Sequence, residues 1–113
     1  MEKRIYFYKT SSGREVVTKF IDKLDDITKA CVRNEIRLLK NHGLELLKNR
    51  TVKKISKNPD IFELRVVGKK QIRLLFTIYD KNTYLMVHIF VKKTQKTPVK
   101  EVKVARKRVG EFI

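Results

Sequence analysis

Apolar and polar positions alternate along the chain in short runs that predict its first strand and helix. Residues 4–9, RIYFYK, combine aromatic and β-branched side chains, which is typical of a strand. Ser12 and Glu15 have the spacing of a capping box, which predicts that a helix begins there. Apolar positions then recur every three or four residues, as on one buried helix face. These positions are Val16, Val17, Phe20, Ile21 and Leu24.

A second helix is predicted to run to about Asn41. Either Asp25 or Asp26 could cap it, because a carboxylate accepts hydrogen bonds from the free amides of a first helical turn. Gly43 is predicted to end it, since glycine adopts left-handed backbone angles at low cost. Beyond Gly43, residues 44–60 become basic and predict a flexible cationic loop that closes with a turn at residues 58–60.

Three further strands and a C-terminal helix complete the predicted order, which is β-α-α-β-β-β-α. The three strands are expected to pair as a meander and comprise residues 61–67, 71–80 and 84–91. Pro98 would take the first position of the helix, where its missing N–H costs nothing. The apolar positions of that helix are Val102, Ala105, Val109 and Phe112.

Side-chain parity predicts that two arginines face each other in the sheet. Successive strand residues point to opposite faces, so a three-residue loop at 68–70 brings both apolar sets to the helix side. The same loop places Arg65 opposite Arg73. Like charges directly opposite each other destabilise a sheet, so we expect the pair to act as a phosphate clamp.

The last hairpin extends this arrangement to a third strand. A two-residue turn at Lys81 and Asn82, or a longer loop over 80–83, would place Arg73 opposite Phe90. It would also place Leu75 opposite His88. Parity then assigns to the helix-covered face Leu85, Val87, Ile89 and Val91. The open face would carry, beside the two arginines, Met86, His88, Phe90 and Lys92.

The net charge indicates an anionic partner. The chain carries 28 Lys and Arg against 12 Asp and Glu, a formal net charge of +16. Residues 48–113 hold 18 of the basic and 5 of the acidic residues, so the second half of the chain carries most of the excess. Nucleic acid fits this charge better than a membrane surface, because no strongly amphipathic basic helix with exposed aromatic residues stands out.

Length and cysteine content further narrow the classes of protein to which the chain could belong. A chain of 113 residues suits one domain, expected over residues 1–113. No apolar stretch reaches the roughly 20 residues of a membrane span, and the N-terminus does not resemble a signal peptide, so we expect a cytoplasmic protein without a membrane partner. Cys31 is the one cysteine and no Cys/His spacing suits zinc. Neither a metal nor another cofactor is therefore expected.

Four segments resemble a known family. ELR (63–65), RLLF (73–76), FVKKTQKTP (90–98) and the helix EVKVARKRV (101–109) are similar, in this order, to the phage-derived Gp49-like group of HigB/RelE-type toxins. The resemblance covers nearly the whole chain. It implies a single toxin domain with a RelE-like α+β fold, in which two N-terminal helices pack on one face of an antiparallel sheet and a short helix follows it.

The resemblance also implies a function and partners. These toxins belong to type II toxin-antitoxin systems and cleave mRNA in the ribosomal A site, as endoribonucleases called mRNA interferases. The expected partner is a HigA-like helix-turn-helix antitoxin, and DNA would be contacted only through the antitoxin complex.

Cleavage of this kind requires acid-base chemistry rather than a metal. A ribose 2′-hydroxyl needs a base, the charged transition state needs cations, and the departing 5′-oxygen needs an acid. The resemblance implies that Arg65 and Arg73 are the family's conserved arginines. Crowding of cations lowers the proton affinity of a lysine, which favours Lys92 or Lys93 as the base. The remaining catalytic candidates are Lys96 and, for the acid, His88.

RNA binding is expected from basic and aromatic side chains around that site. The candidates are Lys53, Lys54, Lys57, Lys69, Lys70 and Phe90. Lys53 and Lys54 could also share the acid-base task. The segment KTQKTP lacks the tyrosine of some relatives, so base stacking would fall to Phe90 or Tyr79.

Two other functions fit the same charge. One is a basic RNA- or ribosome-binding module without catalysis, and the other is a gyrase-inhibiting toxin on the same fold. The substitution Arg73→Lys discriminates, because a binding module tolerates it whereas a bidentate clamp or catalytic site does not.

Overall fold

The computed structural model describes residues 2–112, which form one five-stranded sheet with helices on both faces. The strands are β1 Arg4–Phe7, β2 Val52–Ser56, β3 Ile61–Val66, β4 Ile72–Asp80 and β5 Thr83–Val91. The helices are α1 Val16–Asp22, α2 Asp26–His42, a 3-10 helix Gly43–Leu47, and α3 Val99–Phe112. No helix among these residues is long and apolar enough to span a bilayer.

The sheet has the strand order β1-β5-β4-β3-β2. The pairs from β3 to β5 are antiparallel, as predicted. β2, which was not predicted, is antiparallel to β3, and β1 runs parallel to β5. α1 and α2 connect β1 to β2 at the opposite edge of the sheet, and β5 reaches β1 only at the end of the β2–β5 meander. No hairpin joins β1 and β5, so the pair can be parallel. The predicted RelE-like α+β fold is confirmed, with a mixed sheet.

Two apolar cores lie on the two faces of the sheet. On one face α1 and α2 pack, as predicted, against side chains that include Leu64, Leu74 and Phe76. On the other face Ala105 and Val109 of α3 pack against a second cluster. The sheet residues of this second cluster are Ile61, Leu75, Leu85, Val87 and Phe90. The face that was predicted to be open is therefore covered by α3 over part of its area.

The start and end of α2 agree with the prediction and decide between its two possible caps. Asp25 is the cap, because its Oδ2 accepts a hydrogen bond from the Thr28 backbone amide at 3.0 Å. Gly43 follows α2 with a φ of +59°. A Cβ at this position would lie 2.8 Å from the Tyr84 hydroxyl oxygen, so glycine is required by packing as well as by conformation.

The predicted capping box of α1 is wrong. The helix begins at Val16, and Glu15 at its N-cap makes no side-chain capping bond. Ser12 is instead part of a turn that closes on itself, since its Oγ lies 3.0 Å from the hydroxyl of Thr10. The same hydroxyl accepts the Arg14 amide at 3.0 Å. A short-range turn therefore takes the serine away from the helix start.

The prediction of a flexible loop over residues 44–60 is also wrong, although a turn does lie at residues 58–60. The segment forms the 3-10 helix and then β2, which is antiparallel to β3. Burial of Val52 in the α1/α2 core fixes this strand. Its two lysines are exposed because β2 is an edge strand, where charged side chains are well tolerated.

The predicted register of the meander is confirmed up to a bulge. Arg65 pairs with Arg73, Arg73 with Phe90, and Leu75 with His88. The next pair is Phe76 with Met86, so the register shifts by one residue on β5.

The bulge reverses the predicted faces of residues 85–87. Met86 lies in the α1/α2 core, and Leu85 and Val87 pack under α3. The assignments of Ile89 and Val91 to the α1/α2 core are correct, because they lie on the unshifted side of the bulge.

Candidate functional site

The ends of β3 and β4 and the segment after β5 enclose a cleft of about 490 Å³. Arg65 is close to the end of β3 and Arg73 close to the start of β4, so the hairpin brings them together. The Lys92 amide donates to the Gln71 carbonyl at 2.7 Å, which ties the chain after β5 to the same hairpin. The lining residues are Arg65, Gln71, Arg73, Lys92, Lys93, Thr94 and Gln95.

Two smaller depressions adjoin this cleft and extend it along β2. One of about 320 Å³ shares Lys92 and Gln95 with the cleft and adds Lys53, Lys54, Glu63, Lys96 and Thr97. The other, of about 430 Å³, shares Arg65 with the cleft and adds Arg50, Lys53 and Lys54. Together the three form one surface, here called the basic groove. Its cations are Arg50, Lys53, Lys54, Arg65, Arg73, Lys92, Lys93 and Lys96.

A larger depression of about 620 Å³ lies along the exposed side of α2. Its cations are Lys29, Arg33 and Arg37, all from successive turns of one helix. The basic groove is the stronger candidate for chemistry, because its side chains converge from three strands and a connecting segment.

Arg73 is not the solvent-open half of a clamp that the sequence predicted. Its side chain is 3% exposed, with Nε 3.6 Å from Glu63 Oε1. One of its terminal nitrogens donates to the Ile72 carbonyl at 3.0 Å. Its Nε has no hydrogen-bond partner within residues 2–112. Of the two arginines that line the cleft, Arg65 is the more exposed, being half-buried.

Glu63 lines the groove but was not predicted as a site residue. Its side chain is 3% exposed, and its Oε2 accepts a hydrogen bond from the Thr97 hydroxyl. It pairs across the sheet with Lys53, whose neighbours are cations of the groove. A signal was available, because Glu63 precedes Arg65 by two residues and so shares its face of β3.

Lys92 has the electrostatic surroundings expected of a lysine base. Burial lowers its pKa, and Arg73, Arg65 and Lys53 lower it further, whereas Glu63 raises it. Neighbouring cations disfavour the ammonium form, so the neutral amine is more populated than in an isolated lysine.

Lys93 and Lys96 line the groove as exposed side chains. Lys53 and Lys54 line it as well, so these predicted site residues lie together. Among the described residues, no three His, Cys, Asp or Glu side chains lie close enough to hold a metal ion.

His88 and Phe90, predicted as a catalytic and an RNA-binding residue, lie outside the groove. His88 Nε2 is 3.0 Å from Glu101 Oε1, and its Nδ1 is 3.2 Å from an Arg108 nitrogen. Burial lowers the pKa of His88, and Glu101 opposes this shift. Phe90 is 6% exposed and stacks on the His88 ring, with 5.6 Å between centroids. Both residues are covered because α3 crosses this part of the sheet.

The other predicted RNA-binding residues are not part of the groove. Lys57 is exposed, and its carbonyl accepts a hydrogen bond from Arg106 at 3.2 Å. Lys69 and Lys70 are exposed on the β3–β4 loop, where Lys70 Nζ lies 3.9 Å from Asp25 of the α2 cap. Tyr79, the other stacking candidate, lies toward the opposite end of β4, with its ring centroid 5.5 Å from that of Phe112.

A comparison with protein-family models gives a match over most of the chain. A family model described as "Phage derived protein Gp49-like (DUF891)" matches residues 19–110. The matched range contains every residue that lines the basic groove. A search of curated proteins finds no match.

Proposed function

The chain belongs to the phage-derived Gp49-like protein family, and from this premise we propose that it is the toxin of a type II toxin-antitoxin system. Its activity is ribosome-dependent endoribonuclease cleavage of mRNA. The observation that carries the proposal is the convergence of Arg65, Arg73 and Lys92 at one end of the sheet, in a groove lined by further lysines.

Lys92 acts as the general base. Its neutral amine takes the proton of a ribose 2′-hydroxyl, and the resulting oxygen attacks the adjacent phosphorus. The P–O5′ bond breaks, which leaves a 2′,3′-cyclic phosphate on one fragment and a 5′-hydroxyl on the other. Because its pKa is lowered, Lys92 is a competent base at lower pH than an ordinary lysine, and cleavage should rise with pH through that pKa.

The other cations of the groove stabilise charge and supply a proton. Arg65 and Lys93 are exposed enough to contact the nonbridging phosphate oxygens, whose negative charge grows in the transition state. Lys53, Lys54 and Lys96 are the candidates for the acid that protonates the departing 5′-oxygen. Arg73 is too buried for direct contact in this conformation and contributes positive potential from beneath.

The proposal includes partners and a compartment. The substrate is mRNA in the ribosomal A site, so the protein acts in the cytoplasm. A HigA-like helix-turn-helix antitoxin holds it inactive and provides the contact with DNA. A net charge of +16 suits both an RNA substrate and an acidic antitoxin segment.

The proposal is tested by inducing the protein in bacteria and following protein and DNA synthesis by separate pulse labels. Translation should stop first, and primer extension on a translated message should reveal new 5′ ends. Lys92→Met should abolish these ends, whereas the matched control Lys100→Met, on α3 outside the groove, should not. Translation arrest without new ends would indicate a non-catalytic binding module, and early loss of DNA synthesis would indicate a gyrase inhibitor.

A further inference from the structure

We propose that Glu63 is a positioning residue, whose buried carboxylate anchors both the Arg73 guanidinium and the lysine-bearing segment 92–97 over the groove. The catalytic consequence of this anchoring rests on the proposed function. The anchoring itself does not, and it can be measured without any RNA.

Glu63 is an acid in the middle of a cationic site. Its exposed fraction is 2%, so it is shielded from a substrate phosphate that it would otherwise repel. Arg73 of β4 lies beside it, and Lys53 of β2 is its cross-strand partner. Lys92 and Lys96 line the same depression from the segment after β5. A carboxylate buried at this position cannot bind RNA, so its partners within the protein must explain it.

Burial of a carboxylate is costly unless it is paired and hydrogen-bonded. Glu63 meets both conditions through different oxygens. Oε1 lies 3.6 Å from Arg73 Nε, and Oε2 accepts the hydrogen bond of the Thr97 hydroxyl. One side chain therefore links two parts of the site that are 24 positions apart in the sequence.

The link to Thr97 matters because the segment has few other attachments. It begins with the Lys92 amide bonded to Gln71 and contains a bond from the Thr94 hydroxyl to the Lys96 carbonyl. Within residues 2–112, the Thr97 hydroxyl provides the side-chain hydrogen bond that joins segment 92–97 to the sheet. Without it, among the described residues, segment 92–97 would be hydrogen-bonded to the sheet only through the Lys92 amide.

Glu63 also acts on the charge state of its neighbour. It raises the pKa of Lys92, against burial and against Arg73, Arg65 and Lys53, which lower it. Removal of its charge should therefore shift the titration of Lys92 to lower pH.

The experiment uses three variants and one control in the full-length protein. Glu63→Gln removes the charge, Thr97→Val removes the hydroxyl donor, and Thr97→Ser restores that donor. Glu45→Gln is the control, because Glu45 is an exposed acid outside the groove. The readouts are NMR titration of the Lys92 Cε signal, the heteronuclear NOE of amides 93–96, and the pH profile of cleavage.

Glu63→Gln should move the Lys92 titration and the rising limb of the pH profile to lower pH. Thr97→Val should lower the NOE of amides 93–96 and reduce the plateau rate by about tenfold, since small displacements of catalytic groups are costly. Thr97→Ser should restore both values, and Glu45→Gln should match the wild type.

The inference is wrong if Glu63→Gln leaves the Lys92 titration in place, or if Thr97→Val leaves the amides as ordered as before. Should Glu63→Gln fail to fold, the Val and Ser variants at position 97 decide the matter alone. A wild-type protein that cleaves no RNA would overturn the proposed function, while the two NMR readouts would still decide the anchoring.

Discussion

Two halves of one sheet face have opposite characters. In the half under α3, His88 lies between Glu101 and Arg108, and Tyr8 donates a hydrogen bond to Glu111 at 2.6 Å. In the half that forms the basic groove, the lining residues include eight cations and a single acid, the buried Glu63. The covered half satisfies its charges internally, whereas the groove keeps an excess of positive charge for an external anion.

The comparison shows that parity does not decide which groups are available for chemistry. His88 and Lys92 are four residues apart, and both were assigned to the same face. α3 covers His88, so an RNA substrate could not reach it. Lys92 lies just beyond the end of β5 and lines the cleft. The path of one helix across the sheet separates a structural histidine from a candidate base.

The largest expected effect is on catalysis, where the two halves should differ most. Lys92→Met should reduce the single-turnover rate of RNA cleavage by ~10²–10⁴-fold, the range for loss of a general base. His88→Gln should cost far less, because its partners lie under α3. Rates are measured on a ribosome-bound message with Lys100→Met as control. A comparable loss in His88→Gln would show that the covered half takes part in the reaction.

The second effect is on stability and contrasts the two arginines. Arg73→Met leaves Glu63 buried without its cation, which should cost roughly 3–5 kcal/mol in the free energy of unfolding. Arg65→Met removes a more exposed charge and should cost less than about 1 kcal/mol. Urea denaturation of both variants gives the difference. Equal losses of unfolding free energy in the two variants would mean that the buried ion pair between Arg73 and Glu63 does not stabilise the protein.

A smaller effect is the pH dependence of stability in the covered half. Burial holds the pKa of His88 below its ordinary value, with Glu101 opposing and Arg108 reinforcing the shift. Neutral His88 therefore makes its full contribution to the free energy of unfolding above the unfolded-state pKa of about 6.5. This contribution is lost as pH falls through the folded-state pKa. His88→Gln should flatten the fall in unfolding free energy between pH 7 and pH 5. If the variant shows the same fall in unfolding free energy over this pH range, groups other than His88 cause that fall.

The smallest effect concerns the salt dependence of RNA binding. Lys93→Gln should weaken binding to a non-cleavable RNA and reduce the magnitude of the slope of log affinity against log salt by about 1. Lys103→Gln, an exposed lysine on α3, should leave the slope unchanged. Fluorescence anisotropy at several salt concentrations provides both slopes. Equal changes would indicate diffuse attraction by the whole basic protein.

Much of the fold and part of the site could be predicted from local rules. The pairing of Arg65 with Arg73 followed from parity and a three-residue loop, both of which depend on a few neighbouring residues. The β2 strand could not be recognised in the same way, because its alternation is weak and Val52 is fixed by the distant core. The bulge at Val87 could not be predicted for a related reason. Both faces of β5 are apolar around it, so the sequence pattern does not show the change of register.

Within the site, the sequence identified the cations but not how they are held. Lys92, Lys93 and Lys96 form an evident cluster in the chain. The bond from Thr97 to Glu63 joins residues 34 positions apart and leaves no local pattern. Burial of Arg73 likewise depends on the surrounding layers.

The sequence by itself determined the order of most elements, the register of the central hairpins and the excess of basic residues after position 48. These properties follow from side-chain alternation, turn length and composition, which act over a few residues. Only the tertiary structure decided that α3 covers His88 and Phe90, that Arg73 is buried beside Glu63, and that β2 borders the groove. Such choices depend on which distant surfaces exclude water together, and no short stretch of the chain contains that information.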